Sequence, residues 1–81
     1  MIIQTLGIDL GKTVCSLAGL DATGRVVLKK RIRREKIMAF AANLPACTIA
    51  MEACCGAHHL AHRLIELGHT VRLMPPEYVR P

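Results

Sequence analysis

The stretch Ile2-Ile3-Gln4-Thr5-Leu6-Gly7-Ile8-Asp9-Leu10-Gly11-Lys12-Thr13 decides how the rest of the 81-residue chain is read. An apolar run broken first by one acid and then by a glycine turn is the pattern of a buried strand that delivers a carboxylate at its carboxyl end. Asp9 is that carboxylate. Burying an acid is costly unless it is paired, hydrogen-bonded or bound to a metal, so an Asp directly after Leu6, Gly7 and Ile8 calls for a reason. Gly7 and Gly11 flank it, and a position without Cβ lets a neighbouring strand or a phosphate backbone come close. The plainer alternative is that Asp9 ends the strand and caps a turn.

Outward from this strand, the Gly11 turn returns the chain as a second strand, Thr13 to Leu20. Asp21-Ala22-Thr23-Gly24 is a turn signal, with a glycine available for positive φ. Arg25 to Arg33 forms a third strand, with Val26, Leu28 and Ile32 on one face and Val27, Lys29, Arg31 and Arg33 on the other. Short connections make these three strands an antiparallel meander. The period then changes: Ile37, Phe40, Ala41 and Leu44 place an apolar stripe on a helix that Pro45 stops. Cys47 to Met51 is again a short buried-strand pattern, and it too ends on an acid, Glu52. A second helix starts near Gly56, is expected to bury Leu60, Leu64 and Leu67 and to expose His59, His62, Arg63 and Glu66, and is capped by Gly68. His69 to Met74 is a fifth strand.

The expected fold is therefore α/β, a mixed sheet of topology βββαβαβ. Helical crossovers make strands parallel, so the fourth and fifth strands lie beyond the first, in the strand order 3-2-1-4-5. That order sets the carboxyl ends of the first and fourth strands side by side and brings Asp9 and Glu52 to one edge of the sheet, where open α/β sheets place their ligands. Two adjacent carboxylates repel, and the usual remedy is a hard divalent cation with oxygen ligands, for which Mg²⁺ is the natural candidate. Such a site suits phosphoryl transfer.

Composition bounds the rest. A chain of 81 residues makes one small domain whose core is barely self-supporting, yet 52% of it is hydrophobic with almost no aromatic residue. Some of that apolar surface is expected to face a partner, a second copy or further chain. Met1 leads directly into the first strand without a secretory pattern, no apolar run reaches membrane-spanning length, and the four cysteines follow no disulfide framework, so the expectation is a cytoplasmic protein with no membrane partner. The net charge of +5 is concentrated in Lys29, Lys30, Arg31, Arg33, Arg34 and Lys36, opposed only by Glu35. A local excess of one sign is the footprint of a polyanion, nucleic acid foremost, and we rank this above a merely solvated strand edge. Lys12, in the turn after Asp9, is a further candidate phosphate contact.

At this point the residues resemble a family. Gly7-Ile8-Asp9, the Asp21 to Gly24 turn, Met51-Glu52-Ala53, Gly56, and Leu67-Gly68-His69 leading through Val71 to Pro75-Pro76 and Val79 resemble the amino-terminal part of the DEDD insertion-sequence transposases. That family has a RuvC-like domain of RNase H fold and belongs to the RNA-guided bridge recombinases. The resemblance covers essentially the whole chain. It implies DNA transposition by metal-dependent phosphoryl transfer, with DNA and a guide RNA as partners. Asp9 would be the first acid of the tetrad and Glu52 the second, both catalytic and both metal ligands. By the same resemblance the carboxy-terminal part of the domain, with the last two acids, and the separate domain carrying a serine nucleophile lie beyond Pro81. The chain alone is then expected to hold Mg²⁺ weakly, not to cleave DNA, and to self-associate through uncovered sheet.

Four other readings compete. Gly7 to Thr13 ends like a phosphate-binding loop, but the glycine spacing is one residue short. The same stretch also looks like the first phosphate loop of the sugar kinase, actin and heat-shock ATPase superfamily, the enzymatic alternative, against which the basic third strand and Met51-Glu52-Ala53 count. Cys54, Cys55, His58, His59 and His62 suggest zinc, yet they lack paired zinc-finger spacing, so zinc is disfavoured. A non-catalytic nucleic-acid-binding or oligomerisation module is the non-enzymatic alternative.

Overall fold

Short turns and helical crossovers dictate the architecture seen in the computed structural model, which describes residues 2–54 and 56–75. Among these the order is β1 (Thr5–Asp9), β2 (Val14–Leu20), β3 (Val26–Arg33), a 3-10 turn (Arg34–Lys36), α1 (Ile37–Ala42), β4 (Thr48–Glu52), α2 (Ala57–Glu66) and β5 (Thr70–Met74). The strands form one sheet in the order β3-β2-β1-β4-β5. β2 runs antiparallel to β1 and β3, whereas β4 is parallel to both β1 and β5, as its helical connections require. Cys55, Pro76 and Val79, which entered the reading of the sequence, lie outside the described residues.

Alternation along each strand selects the core. Leu6 and Ile8 of β1, Cys15 and Leu17 of β2, and Ile49 and Met51 of β4 all point to one side, where they meet Ile37 and Ala41 of α1 and Ala61 and Leu64 of α2. Leu64 is fully buried, which at roughly 25 cal/mol per Å² contributes about 2 kcal/mol to docking its helix. Both helices thus cover one face, and among the described residues no element covers the other.

Local chemistry fixes the connections. In the β2–β3 turn the Asp21 carboxylate accepts hydrogen bonds from the Thr23 N–H (2.9 Å), the Thr23 hydroxyl (2.7 Å) and the Arg25 N–H (3.0 Å), and Gly24 takes φ 86°. Those bonds, the Thr23 hydroxyl first, hold the Asp21 carboxyl below the usual carboxylate range. Gly11 allows a different economy of space, because a Cβ there would collide with the Val14 carbonyl. At the end of α2 the Gly68 N–H donates to the Ile65 carbonyl (2.9 Å) and the His69 N–H to that of Leu64 (3.3 Å), with Gly68 at φ 100°. This is a Schellman cap, and it turns His69 inward.

His69 is only 4% exposed. Its Nδ1 accepts the Cys47 backbone N–H at 3.2 Å, so that nitrogen carries no proton and Nε2 donates to the Ala41 carbonyl at 2.8 Å. One imidazole therefore ties the start of β5 to the end of α1 and the approach to β4.

Several expectations require correction. The first strand begins at Thr5 instead of Ile2, whose side chain is 74% exposed. Val26 does not share a face with Leu28 and Ile32: a bulge between Gly19 and Leu20 pairs Val26 with Leu20, leaving it 52% exposed. Leu67 is exposed, because the helix ends at Glu66 and the cap swings the next residue outward; Ala57 and Ala61 occupy the buried stripe with Leu64.

Candidate functional site

The two acids converge through register. β1 and β4 pair from Thr5↔Thr48 to Ile8↔Met51, so the next step sets Asp9 level with Glu52 on adjacent strands, which run about 4.8 Å apart. Since Leu6, Ile8, Ile49 and Met51 face the core, Gly7, Asp9, Ala50 and Glu52 face the bare side. Asp9 lies opposite Ser16, which lies opposite Arg31, and Glu52 lies opposite Met74. One row across the sheet therefore reads Arg31, Ser16, Asp9, Glu52, Met74.

The adjoining row reads Lys29, Ala18, Gly7, Ala50, Arg72. Its three central positions have almost no side chain, so they form the floor of an open depression that both acids line, with Lys29 at one end. Positive charge thus stands at both ends of a low floor, and negative charge along one side. Arg72 was not in the basic run of the sequence. Its signal is the alternation of β5, where Val71 and Leu73 pack on the core and Arg72 takes the opposite face.

The basic run itself is divided by the fold. Lys29 and Arg31 lie on the bare face, and Arg33 at the end of the same alternation has Nε 4.0 Å from Glu35 Oε1. Lys30 turns to the helical side and places Nζ 5.2 Å from the centre of the Phe40 ring. Lys36 is exposed on the 3-10 turn, and Lys12 lines a smaller cleft with Thr13, Arg33 and Arg34. Arg34 donates from Nη1 to the Gly11 carbonyl at 3.0 Å.

His58, His59 and His62 are exposed on α2, apart from half-buried Cys54. Among the described residues no three His, Cys, Asp or Glu side chains gather closely enough to hold a metal ion. A cation at Asp9 and Glu52 would have two protein carboxylates, the donor type that hard divalent ions prefer, with water completing the shell. Burial pushes the Cys47 thiol up from its ordinary value, and it lies with His69 on the far side of the sheet from the acids.

No protein-family model matches the chain. Over its full length it is 43% identical to a protein of Pseudomonas aeruginosa named probable family 20 transposase. The chain is similar to part of a transposase. It is 40% identical over 79 residues to the transposase for insertion sequence element IS1328 of Yersinia enterocolitica, and 34% identical over 79 residues to that for insertion sequence element IS1111A of Coxiella burnetii. These alignments take in 98% of the chain but 24% and 22% of those relatives. The chain spans about a quarter of the length of the curated relatives it matches. Among the described residues no helix is long and apolar enough to cross a membrane.

Proposed function

We propose that the chain is a portion of a RuvC-like domain of RNase H type, from a transposase whose whole length moves DNA by metal-dependent phosphoryl transfer. Asp9 and Glu52 are then the first two acids of a four-acid site. The observation that carries this reading is their common row: two carboxylates at the carboxyl edge of adjacent parallel strands, on the same uncovered face. The names of the relatives supply the reaction class. When bound, Mg²⁺ would supply a Lewis acid and a more acidic hydroxyl or water nucleophile.

The chain's own residues do the rest. Asp9 and Glu52 offer oxygen ligands, Lys29, Arg31 and Arg72 draw the phosphate backbone to the face, and the floor of Gly7, Ala18 and Ala50 lets that backbone approach. A guide RNA partner follows from the family resemblance, and self-association from the uncovered sheet; light scattering measures the latter. Two ligands of four hold Mg²⁺ weakly, so the chain alone is expected to leave DNA uncut.

The test is Mg²⁺ titration of ¹⁵N-labelled protein by NMR, with Asp9→Ala alongside. Shifts confined to the surroundings of Asp9 and Glu52 and lost in the variant are expected. A response elsewhere, or one that survives Asp9→Ala, overturns the two-acid site.

A further inference from the structure

The ladder that brings Asp9 and Glu52 together stops short of them. Paired positions between β1 and β4 run only to Ile8↔Met51, and beyond that point each acid leads into an irregular loop. Asp9 is still paired with Ser16 on its other side and Glu52 with Met74, so the sheet holds both acids, while the segments that follow them lie outside the β1–β4 ladder and need other contacts to fix them. Arg34 reaches both loops. Its backbone N–H donates to the Thr13 carbonyl at 2.7 Å and its Nη1 to the Gly11 carbonyl at 3.0 Å, fastening the turn that follows Asp9. The same guanidinium covers Gly56 in the loop that follows Glu52, where a Cβ would lie 2.5 Å from Nη2 and 3.7 Å from Cζ. Gly56 has φ 84°, so the backbone there is already shaped for a residue without a side chain.

We infer that Arg34 is a positioning residue that ties the loop after Asp9 to the loop after Glu52 and so steadies the two carboxylates, whose backbone spacing the sheet sets. The inference rests on reading those acids as one site, and it assigns to Arg34 a role different from the phosphate contact that its place in the basic run suggests. The distinction is chemical. A phosphate contact needs a charge, which lysine supplies; a bridge between two backbones needs the planar fork of a guanidinium, which lysine lacks.

Arg34→Lys is therefore the informative variant, since it keeps the charge near a cation site constant. Lys36→Gln serves as a control for a nearby exposed charge. Native-state amide exchange is followed at residue 34, whose N–H bonds the Gly11 turn region, and at Ala57 and Leu60, whose N–H groups bond Cys54 and Gly56. Amides of Leu6 and Ile8 in the central strand report global stability. Mn²⁺ affinity is measured in parallel by water-proton relaxation. In Arg34→Lys both loops are expected to exchange about tenfold faster relative to the strand amides, and Mn²⁺ binding to weaken by roughly ten- to a hundredfold, the usual effect of losing a group that orients metal ligands. Lys36→Gln changes neither. Faster exchange in only one loop or in none overturns the inference, as does an unchanged Mn²⁺ affinity with both loops loosened. A wild-type chain that binds no Mn²⁺ while both loops loosen in Arg34→Lys sinks the two-acid reading instead and upholds the tie.

Discussion

Replacing His69 by alanine should remove a substantial part of the stability of this domain. The ring is 4% exposed, accepts the Cys47 N–H and donates to the Ala41 carbonyl. Truncation removes both bonds and leaves a backbone donor and a backbone acceptor in a buried place, each costing about 1 to 3 kcal/mol when unsatisfied. A water entering the vacated space recovers part of this, so the net loss is expected at about 1 to 5 kcal/mol. A domain of this length holds roughly 4 to 12 kcal/mol in all. Urea unfolding followed by far-ultraviolet circular dichroism measures the difference, with His62→Ala on the exposed side of α2 as reference, expected within about 0.5 kcal/mol of wild type. A loss below about 1 kcal/mol for His69→Ala would refute the reasoning. So would ¹⁵N spectra of the ring showing the proton on Nδ1, because the Cys47 N–H then has no acceptor.

Two further outcomes are expected. Asp21 has its folded-state value lowered below the ordinary 3.8, by the Thr23 hydroxyl first and then by the Arg25 N–H, so the stability it contributes is present above about pH 4 and is lost as pH falls through the lowered value. Urea midpoints of wild type and Asp21→Ala should therefore differ at pH 6 and converge in acid; a constant gap would contradict the role of the carboxylate. On the bare face, Lys29→Gln and Arg31→Gln should each weaken binding of a DNA duplex and lower the slope of log affinity against log salt by about 0.9, whereas Lys30→Gln, held over Phe40, should leave the slope unchanged. Equal effects at all three positions would mean that the sheet face does not sort these charges.

Sheet order and the meeting of Asp9 with Glu52 were legible because they follow from period and connection length, which are written in the chain locally. Alternation assigns faces within a strand, and helical crossovers assign direction. What the chain does not write locally is where alternation slips. The bulge opposite Gly19 and Leu20 moves Val26 off the core face, and no turn residue in β3 announces it. Side-chain length hid the buried stripe of α2 in a similar way: Ala57 and Ala61 fill the space under that helix although larger Leu67 stands nearby, because the cap ends the helical phase first. The bonds that Arg34 and His69 make to distant backbone escaped notice for a third reason. Their partners stand at separations of 22 to 28 residues, and no pattern in a short window marks such a bond.

The bulge has a consequence for colloidal behaviour as well. It sits in β3, an outer strand that carries Lys29, Lys30, Arg31 and Arg33. A strand from another molecule adding there would have to match an interrupted ladder and bring its own copies of those charges alongside, both of which oppose growth. Stacking in register, as amyloid requires, repeats that repulsion at every layer. The most densely charged strand of the domain thus doubles as a stop at one end of the sheet.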